Sequence, residues 1–358
     1  MRILSICSAR PNFVKLAAVH HAIADRDGDE VGHLIVHTGQ HYDPLFSDIF
    51  FDQLGIPLPD ENLDIHGGTR EDVIAKTEAA CLPVFRKHAP DWIFVYGDVN
   101  GALGAAQAAK KAGIKLAHVE AGLRSFDDSM PEEHNRIAID AIADLLLVSE
   151  QSGMDNLKKE KRKGRAELIG NTMIDTLIRM LPHIDDAELP DGISSPFCVV
   201  TLHRPSNVDT AGALKRNIDF LGEVARRTPV VLPLHHRTRA SLERFELADK
   251  LPAGITVIEP LGYIPFLRLC KDARFILTDS GGIQEEAVLL RKKCFTLRKN
   301  TERPSTVDSG SNTLIDLERP EDVKKVLAYA EYPAPPTVKV PELWDGRAGE
   351  RILASLPV

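Results

Sequence analysis

Several things that would assign this chain to a large class of proteins are missing from it. The five cysteines (Cys7, Cys81, Cys198, Cys270, Cys294) are odd in number and scattered, with no C-x-x-C pair. Such spacing argues against a disulfide framework and for buried thiols in a reducing compartment. No apolar run approaches the roughly 18 residues of a membrane span. Positive charge is in deficit, with 44 lysines and arginines against 52 acids and a net charge of -8. A nucleic-acid polymer, which needs a broad basic face, is therefore not an expected partner. A small anion remains possible, provided positive groups are gathered locally for it. Neither a Walker P-loop, G-x-G-x-x-G, H-E-x-x-H nor G-x-S-x-G occurs, so the common phosphate, zinc and hydrolase signatures are all absent. Low-complexity tracts and short-period repeats are absent too. Residues 1–7 are too short for a signal-peptide core and run straight into Arg10-Pro11, so a cytoplasmic protein is expected.

What is present is an ordinary globular composition, 43% hydrophobic and 27% charged, in 358 residues. That length predicts about two domains. Short apolar runs at 2–8, 31–37, 92–96, 116–119 and 145–148 read as strands. Helical periodicities lie between them at 13–23, 46–54, 69–87 (with a kink or break at Pro83) and 103–111. From 180 to 196 the pattern lapses into prolines, acids, glycine and serines, the best linker candidate. Alternation resumes with runs at 197–202, 230–234, 255–258, 275–278 and 294–297. A Pro-rich stretch at 333–336 reads as extended, and 346–356 as a last helix. Strands alternating with helices imply βαβ units and parallel sheets, so the chain reads as α/β in two Rossmann-like halves. Ligands in such sheets sit beyond the strand C-terminal ends, which places Arg10, Gln40, Asp98 and Glu120 on one rim.

Between Glu120 and Arg136 lie three glutamates (Glu120, Glu132, Glu133) and two arginines. Glu120 ends an apolar strand, a position suited to a general acid or base. Glu132 follows Pro131 at a helix start, where first-turn stabilisation and an i,i+4 pair with Arg136 explain it equally well. Asp98 directly follows a strand, as a rim acid or as an N-cap. Arg10 and Lys15 flank the first helix start and suit phosphate neutralisation, although Lys15 also fits a solvated helix face. In the second half, Asp279-Ser280-Gly281-Gly282 joins a strand to a helix that contains Glu286. Backbone N–H groups freed by glycine, together with a helix N-terminus, make an anion cradle there, unless Ser280 is only an N-cap. Arg303 follows the next strand, within reach of the same anion or simply exposed. Glu286 is placed to accept from ribose hydroxyls or to lie on the helix surface. His203 ends the first strand of the second half. With His235-His236 it raises the question of a metal, but no ligand spacing supports one. A nucleotide diphosphate on the second half, with its attached group against Asp98, Glu120 and Glu132, is the reading these residues support.

Ala9-Arg-Pro-x-x-x-Lys15, Gly39-Gln-His41, Gly97-Asp98, His118-Val-Glu-Ala-Gly-Leu-Arg124 and Pro131-Glu-Glu-x-Asn-Arg136 occur in order. So do Gly170-Asn171, His203-Arg204, Asp279-Ser-Gly-Gly-Ile-Gln-Glu-Glu286 and Thr301-Glu-Arg-Pro304. Across almost the whole chain this set resembles the non-hydrolysing UDP-N-acetylglucosamine 2-epimerases. The resemblance implies a glycosyltransferase-B-like fold, two Rossmann-like domains facing a central cleft. It implies domains at 1–172, joined by a C-terminal helix at 345–358, and 173–344. It implies a homodimer with a UDP-sugar substrate, no cofactor, no metal and no membrane insertion. The implied reaction is reversible conversion of UDP-GlcNAc to UDP-ManNAc by UDP elimination to a 2-acetamidoglucal and re-addition. Asp98, Glu120, Glu132 and His203 are the implied catalytic groups. Arg10, Lys15, Ser280, Gly281, Gly282 and Arg303 stabilise the leaving diphosphate, Phe266 and the backbone near Leu261 hold uracil, and Glu286 holds ribose. Two departures bear on substrate and regulation. Tyr42-Asp43-Pro44-Leu45 differs from the allosterically activated members. Ser8-Ala-Arg-Pro-Asn-Phe-Val-Lys15 is similar to the subgroup acting on more elaborate UDP-2-acetamido sugars, such as 2,3-diacetamido uronic acids. The alternatives are a 2-epimerase of such a sugar and a hydrolysing 2-epimerase releasing ManNAc and UDP.

Overall fold

The structure is a computed structural model, described for residues 1–26, 31–39 and 44–357. It divides into two compact units, 1–180 with 342–358, and 181–341. Gln40 and the Tyr42-Asp43 part of the loop singled out above lie outside the described residues.

Among the described residues, the first unit carries a seven-stranded parallel sheet. Its strands are β1 (Arg2–Cys7), β2 (Gly32–His37), β3 (Glu61–Asn62), β4 (Trp92–Tyr96), β5 (Lys115–Ala121), β6 (Leu145–Val148) and β7 (Arg165–Leu168). Their order is β3-β2-β1-β4-β5-β6-β7. The second unit carries a six-stranded sheet of β8 (Cys198–Thr201), β9 (Val230–Pro233), β10 (Ile255–Ile258), β11 (Ile276–Thr278), β12 (Cys294–Thr296) and β13 (Asn312–Leu314). Here the order is β10-β9-β8-β11-β12-β13, and the pairs are again parallel. Each order reverses once, between β1 and β4 and between β8 and β11. Such switch points open a crevice at the strand C-terminal ends.

Central strands read as unbroken apolar runs because helices cover both faces of a parallel sheet. All of β4 and β6 is buried, and so is β1 after Arg2. In the second unit, Val200 packs into one apolar cluster and Val199 into another, the two-residue period of a strand between two helix layers. The five cysteines are free and buried, as their apolar settings imply. In the first unit the helix Asn100–Lys111 turns Ala102, Ala105, Ala106 and Ala109 into the core. Its Gly104 lies so close to the helix Arg70–His88 that a Cβ would come within 2.5 Å of the Ile74 carbonyl.

An expected break at Pro83 and an expected lapse at Pro182 are corrected. The helix Arg70–His88 runs through Pro83, and the helix Thr172–Asp186 runs through Pro182, past the start of the expected lapse. Tertiary packing outweighs one lost hydrogen bond in each: Val73, Ile74, Cys81 and Phe85 of the first helix and Met173, Ile174, Leu177, Met180 and Ile184 of the second are buried. The short strands β3, β7 and β13 went unread because they carry too little apolar pattern. β7, Arg-Ala-Glu-Leu, is half exposed at a sheet edge. No helix among the described residues is long and apolar enough to cross a membrane.

Candidate active site

At the β1/β4 switch point, Asn12 ties the two strand ends together. Its Oδ1 accepts from the Ser8 and Ala9 amides at 3.1 Å each, and its Nδ2 donates to the Tyr96 carbonyl at 2.9 Å. Arg10 is exposed at the first position of the helix Arg10–Ala24, its guanidinium 5.2 Å from the centre of the Phe50 ring. Lys15, one turn further, is only 5% exposed and ion-paired with Glu120, which is 8% exposed. A solvated helix lysine is thereby excluded. Gly97 makes room for this pair: at φ +62°, a Cβ there would sit 3.0 Å from Lys15 Nζ and 3.1 Å from Glu120 Oε2.

Glu120 lies where the β5–β6 register shifts between Val119 and Ala121, with φ +73°. A non-glycine residue in the left-handed region costs about 1–3 kcal/mol and persists where the surroundings over-determine it. The bulge re-aims the carboxylate out of the strand's alternation. Asp98 is not the N-cap of the following helix, a position held by Val99. Its carboxylate instead accepts from Arg136 Nε at 3.0 Å and from Arg136 Nη2, and Asn135 Nδ2 donates to its carbonyl at 2.8 Å. Arg136 also donates to Glu133 at 2.6 Å, so the i,i+3 carboxylate is its partner on this helix. Buried Glu133 accepts in addition from the Ser125 amide and hydroxyl (2.9 Å each) and the Phe126 amide (3.1 Å), fixing the loop before the helix. Glu132 is half-buried at the second position of the helix Pro131–Ile142.

The β8/β11 switch point is closed by Asp279, fully buried. It accepts from the amides of His203 (2.9 Å) and Arg204 (2.8 Å) and from Asn207 Nδ2 (3.0 Å), and faces His203 Nδ1 at 3.0 Å. Burial pushes this carboxyl up, but His203 and the surrounding donors outweigh it and hold the carboxyl down to about 2. His203 in turn lies against the His235 ring (5.1 Å), and His235 against His236 (4.0 Å). Among the described residues no group of three or more His, Cys, Asp or Glu side chains is arranged to hold a metal ion.

Ser280 holds the N-cap position of the helix Gly281–Leu289, but its side chain makes no capping bond. A Cβ on Gly281 would lie 2.5 Å from Arg303 Nη1, so glycine here lets the guanidinium close on the helix N-terminus. Arg303 is 7% exposed and paired with Glu285 (3.0 Å) and with Glu302, which also binds Arg298 at 2.7 Å. An exposed arginine and a surface Glu286 are both corrected. Glu286 is buried, and burial followed by the Glu285 charge pushes its carboxyl up to about 8, with the Tyr263 phenol beside it. Gly282 is half-buried. Leu261 and Phe266, flanking the start of the helix Tyr263–Asp272, are half-buried against the same apolar cluster.

Glu286 makes stability depend on pH. Its folded pKa lies above the unfolded value of 4.5, so its contribution is fully present below 4.5 and is lost as pH rises through about 8. The loss is on the order of 4 kcal/mol. Denaturant unfolding at pH 5 and pH 9 should show the wild-type protein weakening across this range and Glu286→Gln weakening much less. Equal pH dependence of the two proteins would refute the assignment.

A model of UDP-N-acetylglucosamine 2-epimerase matches residues 24–357. The chain belongs to that family. A UDP-2,3-diacetamido-2,3-dideoxy-D-glucuronate 2-epimerase of Pseudomonas aeruginosa is 41% identical over 325 residues, 89% of each chain. A crystal structure of the Methanocaldococcus jannaschii UDP-GlcNAc 2-epimerase, in complex with UDP-GlcNAc and UDP, superposes with a TM-score of 0.92 at 36% identity over 99% of both chains. A UDP-N-acetylglucosamine 2-epimerase of Methanococcus maripaludis is 36% identical, covering 89% of this chain and 88% of its own. The fold class is the α/β, glycosyltransferase-B-like one expected, and the family is one of isomerases. Beyond the residues singled out in advance, this epimerase-family chain uses Asn12, Asp140 and Glu302 to hold its sites. These gave no separate signal, since a single polar residue in a helix or loop reads as solvated until its partners are known.

Proposed function

We propose that the chain epimerises C2 of a UDP-2-acetamido sugar, with UDP-GlcNAc and UDP-ManNAc as the interconverted pair. The observation that carries this is Glu120, held in a strained conformation on the β5 bulge by buried Lys15, at the switch point that also presents Asp98. The C2 proton is not acidic in itself, so loss of UDP must accompany its removal. The C2–H electrons form the C1=C2 bond of a 2-acetamidoglucal as the C1–O bond breaks, and the leaving oxygen takes the pair. Protonation of C2 on the opposite face and return of UDP to C1 complete the epimerisation.

Departure of the diphosphate needs fixed positive groups where charge develops. Ser280, Gly281 and Gly282 present the N-terminal amides of a helix, with Arg303 packed against them. His203, oriented through Nδ1 by Asp279, adds a ring nitrogen, and Arg10 adds positive charge. Glu286 takes the ribose, and Phe266 with the Leu261 backbone takes the uracil. Asp98, Glu120 and Glu132 supply proton transfer on the two faces of C2. A homodimer in the cytoplasm, needing no added cofactor, completes the reading.

The 41% identity to the Pseudomonas aeruginosa enzyme favours a second substrate, a UDP-2,3-diacetamido uronic acid. Incubation with each UDP-sugar in deuterated water tests both. The expected product is the UDP-linked 2-epimer carrying deuterium at C2, formed faster from the true substrate. Free sugar and UDP as the main products would show hydrolysis instead.

A further inference from the structure

We propose that the buried His118–Asp140 pair is a positioning staple that holds the two loops presenting Asp98 and Glu120 in one geometry. The inference rests on the reading of those two acids as proton-transfer groups. His118, on β5, and Asp140, on the helix Pro131–Ile142, are both inaccessible to solvent and meet at 2.7 Å through Nδ1 and Oδ1. Each then grips one of the loops. His118 Nε2 donates to the Gly97 carbonyl at 2.9 Å, immediately before Asp98. Asp140 Oδ2 accepts from the Gly122 amide at 3.1 Å, two residues after Glu120.

The gripped backbones are those with unusual conformations. Gly97 and Gly122 have φ +62° and +82°, and Glu120 between them in space has φ +73°. Gly122 is further locked because a Cβ there would meet the Gly153 carbonyl at 2.5 Å, and Asn156 Nδ2 donates to the Gly122 carbonyl at 2.9 Å. A left-handed glutamate relaxes toward ordinary strand geometry unless both flanks are fixed. The staple supplies the fixation at the points where the β5 ladder is interrupted.

Both His118 nitrogens face acceptors, a carboxylate and a carbonyl. Burial pushes the Asp140 carboxyl up, but His118 and Arg124 outweigh it and the net shift is downward, leaving it ionised. Arg124 Nη2 lies 2.7 Å from Asp140 and continues to Glu160 at 2.8 Å. Buried Asp140 is therefore paired with Arg124, and the chain of ion pairs runs on to the half-exposed Glu160. Hydrophobic packing would satisfy a purely structural demand at such a site as well or better. A buried pair whose bonds, apart from that of Asp140 to Arg124, go to the two site loops is explained by what it orients.

The test uses the full-length chain, with Asp140→Asn, which keeps shape but removes charge, and His118→Gln as a second variant. A displacement of the acids of about 1 Å predicts a fall in kcat for deuterium incorporation at C2 of roughly 10²-fold, with KM within roughly threefold. Amide hydrogen exchange supplies a readout independent of activity. Gly122 should lose its protection in Asp140→Asn while Phe94 of β4 keeps its own. A kcat within twofold of wild type despite an unprotected Gly122 would overturn the proposal, and so would a Gly122 amide that stays protected in Asp140→Asn. If the wild-type chain exchanges no C2 proton with either UDP-sugar, the reading of function fails by itself, and the Gly122 amide still decides whether the staple exists.

Discussion

In Glu120→Gln, deuterium incorporation at C2 falls by about 10²- to 10⁴-fold, the range set by losing one positioned general acid or base. The amide is isosteric but neither takes nor returns the proton. KM changes little, because the residue acts on the reacting centre and not on the bulk of substrate binding. The substitution also leaves Lys15, 5% exposed, without a charged partner. A stranded buried charge costs on the order of 3–5 kcal/mol, so the single variant unfolds at lower denaturant. Lys15→Met in the same background should recover much of that stability and none of the exchange rate. Stopped-time mass measurement of C2 deuteration, alongside urea unfolding, separates the two losses. Exchange within tenfold of wild type would remove Glu120 from the chemistry.

Arg303→Ala is expected to affect both UDP affinity and the fold of the second unit. The guanidinium touches the helix N-terminus at Gly281 and neutralises Glu285 and Glu302. Without it, Glu285 loses its 3.0 Å partner while Glu302 keeps Arg298, leaving added negative charge beside the helix end that is the anion cradle. UDP binding by calorimetry should weaken at least about 100-fold, the worth of a charge-assisted contact in a desolvated setting. A loss of roughly 3–5 kcal/mol from breaking the buried Arg303–Glu285 ion pair predicts a Tm lower by about 10 °C for a unit of this size. Gly281→Ala provides the control that keeps the charge. Its Cβ displaces the guanidinium, so UDP affinity falls while Glu285 and Glu302 remain neutralised and Tm moves less. Unchanged UDP affinity in both variants would take Arg303 out of the diphosphate site.

The strands nearest the two switch points were legible because they are buried on both faces, and burial leaves an unbroken apolar run. Residues 92–96 and 145–148, wholly buried, were bounded as they occur. The β7 and β13 edges were not legible, since half-exposed strands carry polar residues and short ones carry no period. Pro182 was misleading for a related reason. A proline is a local signal against helix, while the buried Met173, Ile174, Leu177, Met180 and Ile184 are a stronger tertiary signal that only packing reveals. Asp98 and Lys15 each had a bland alternative as an N-cap or a solvated lysine. Partners distant in sequence removed both alternatives.

Hydrophobic periodicity and glycine placement are properties of short stretches, so the sequence alone determined the α/β alternation, the two halves, the rim positions of Asp98 and Glu120 and the strand-to-helix junction at Asp279. It could not determine which charges meet. Lys15 and Glu120 are 105 residues apart, His203 and Asp279 are 76 apart by their backbone bond, and His118 and Asp140 are 22 apart. A parallel sheet brings such pairs together through crossover connections, and the register of the strands decides which side chains come within bonding distance. The left-handed φ of Glu120 belongs to the same category. No local preference favours it, and it exists because Lys15, Gly97 and the His118–Asp140 pair surround it in the folded sheet.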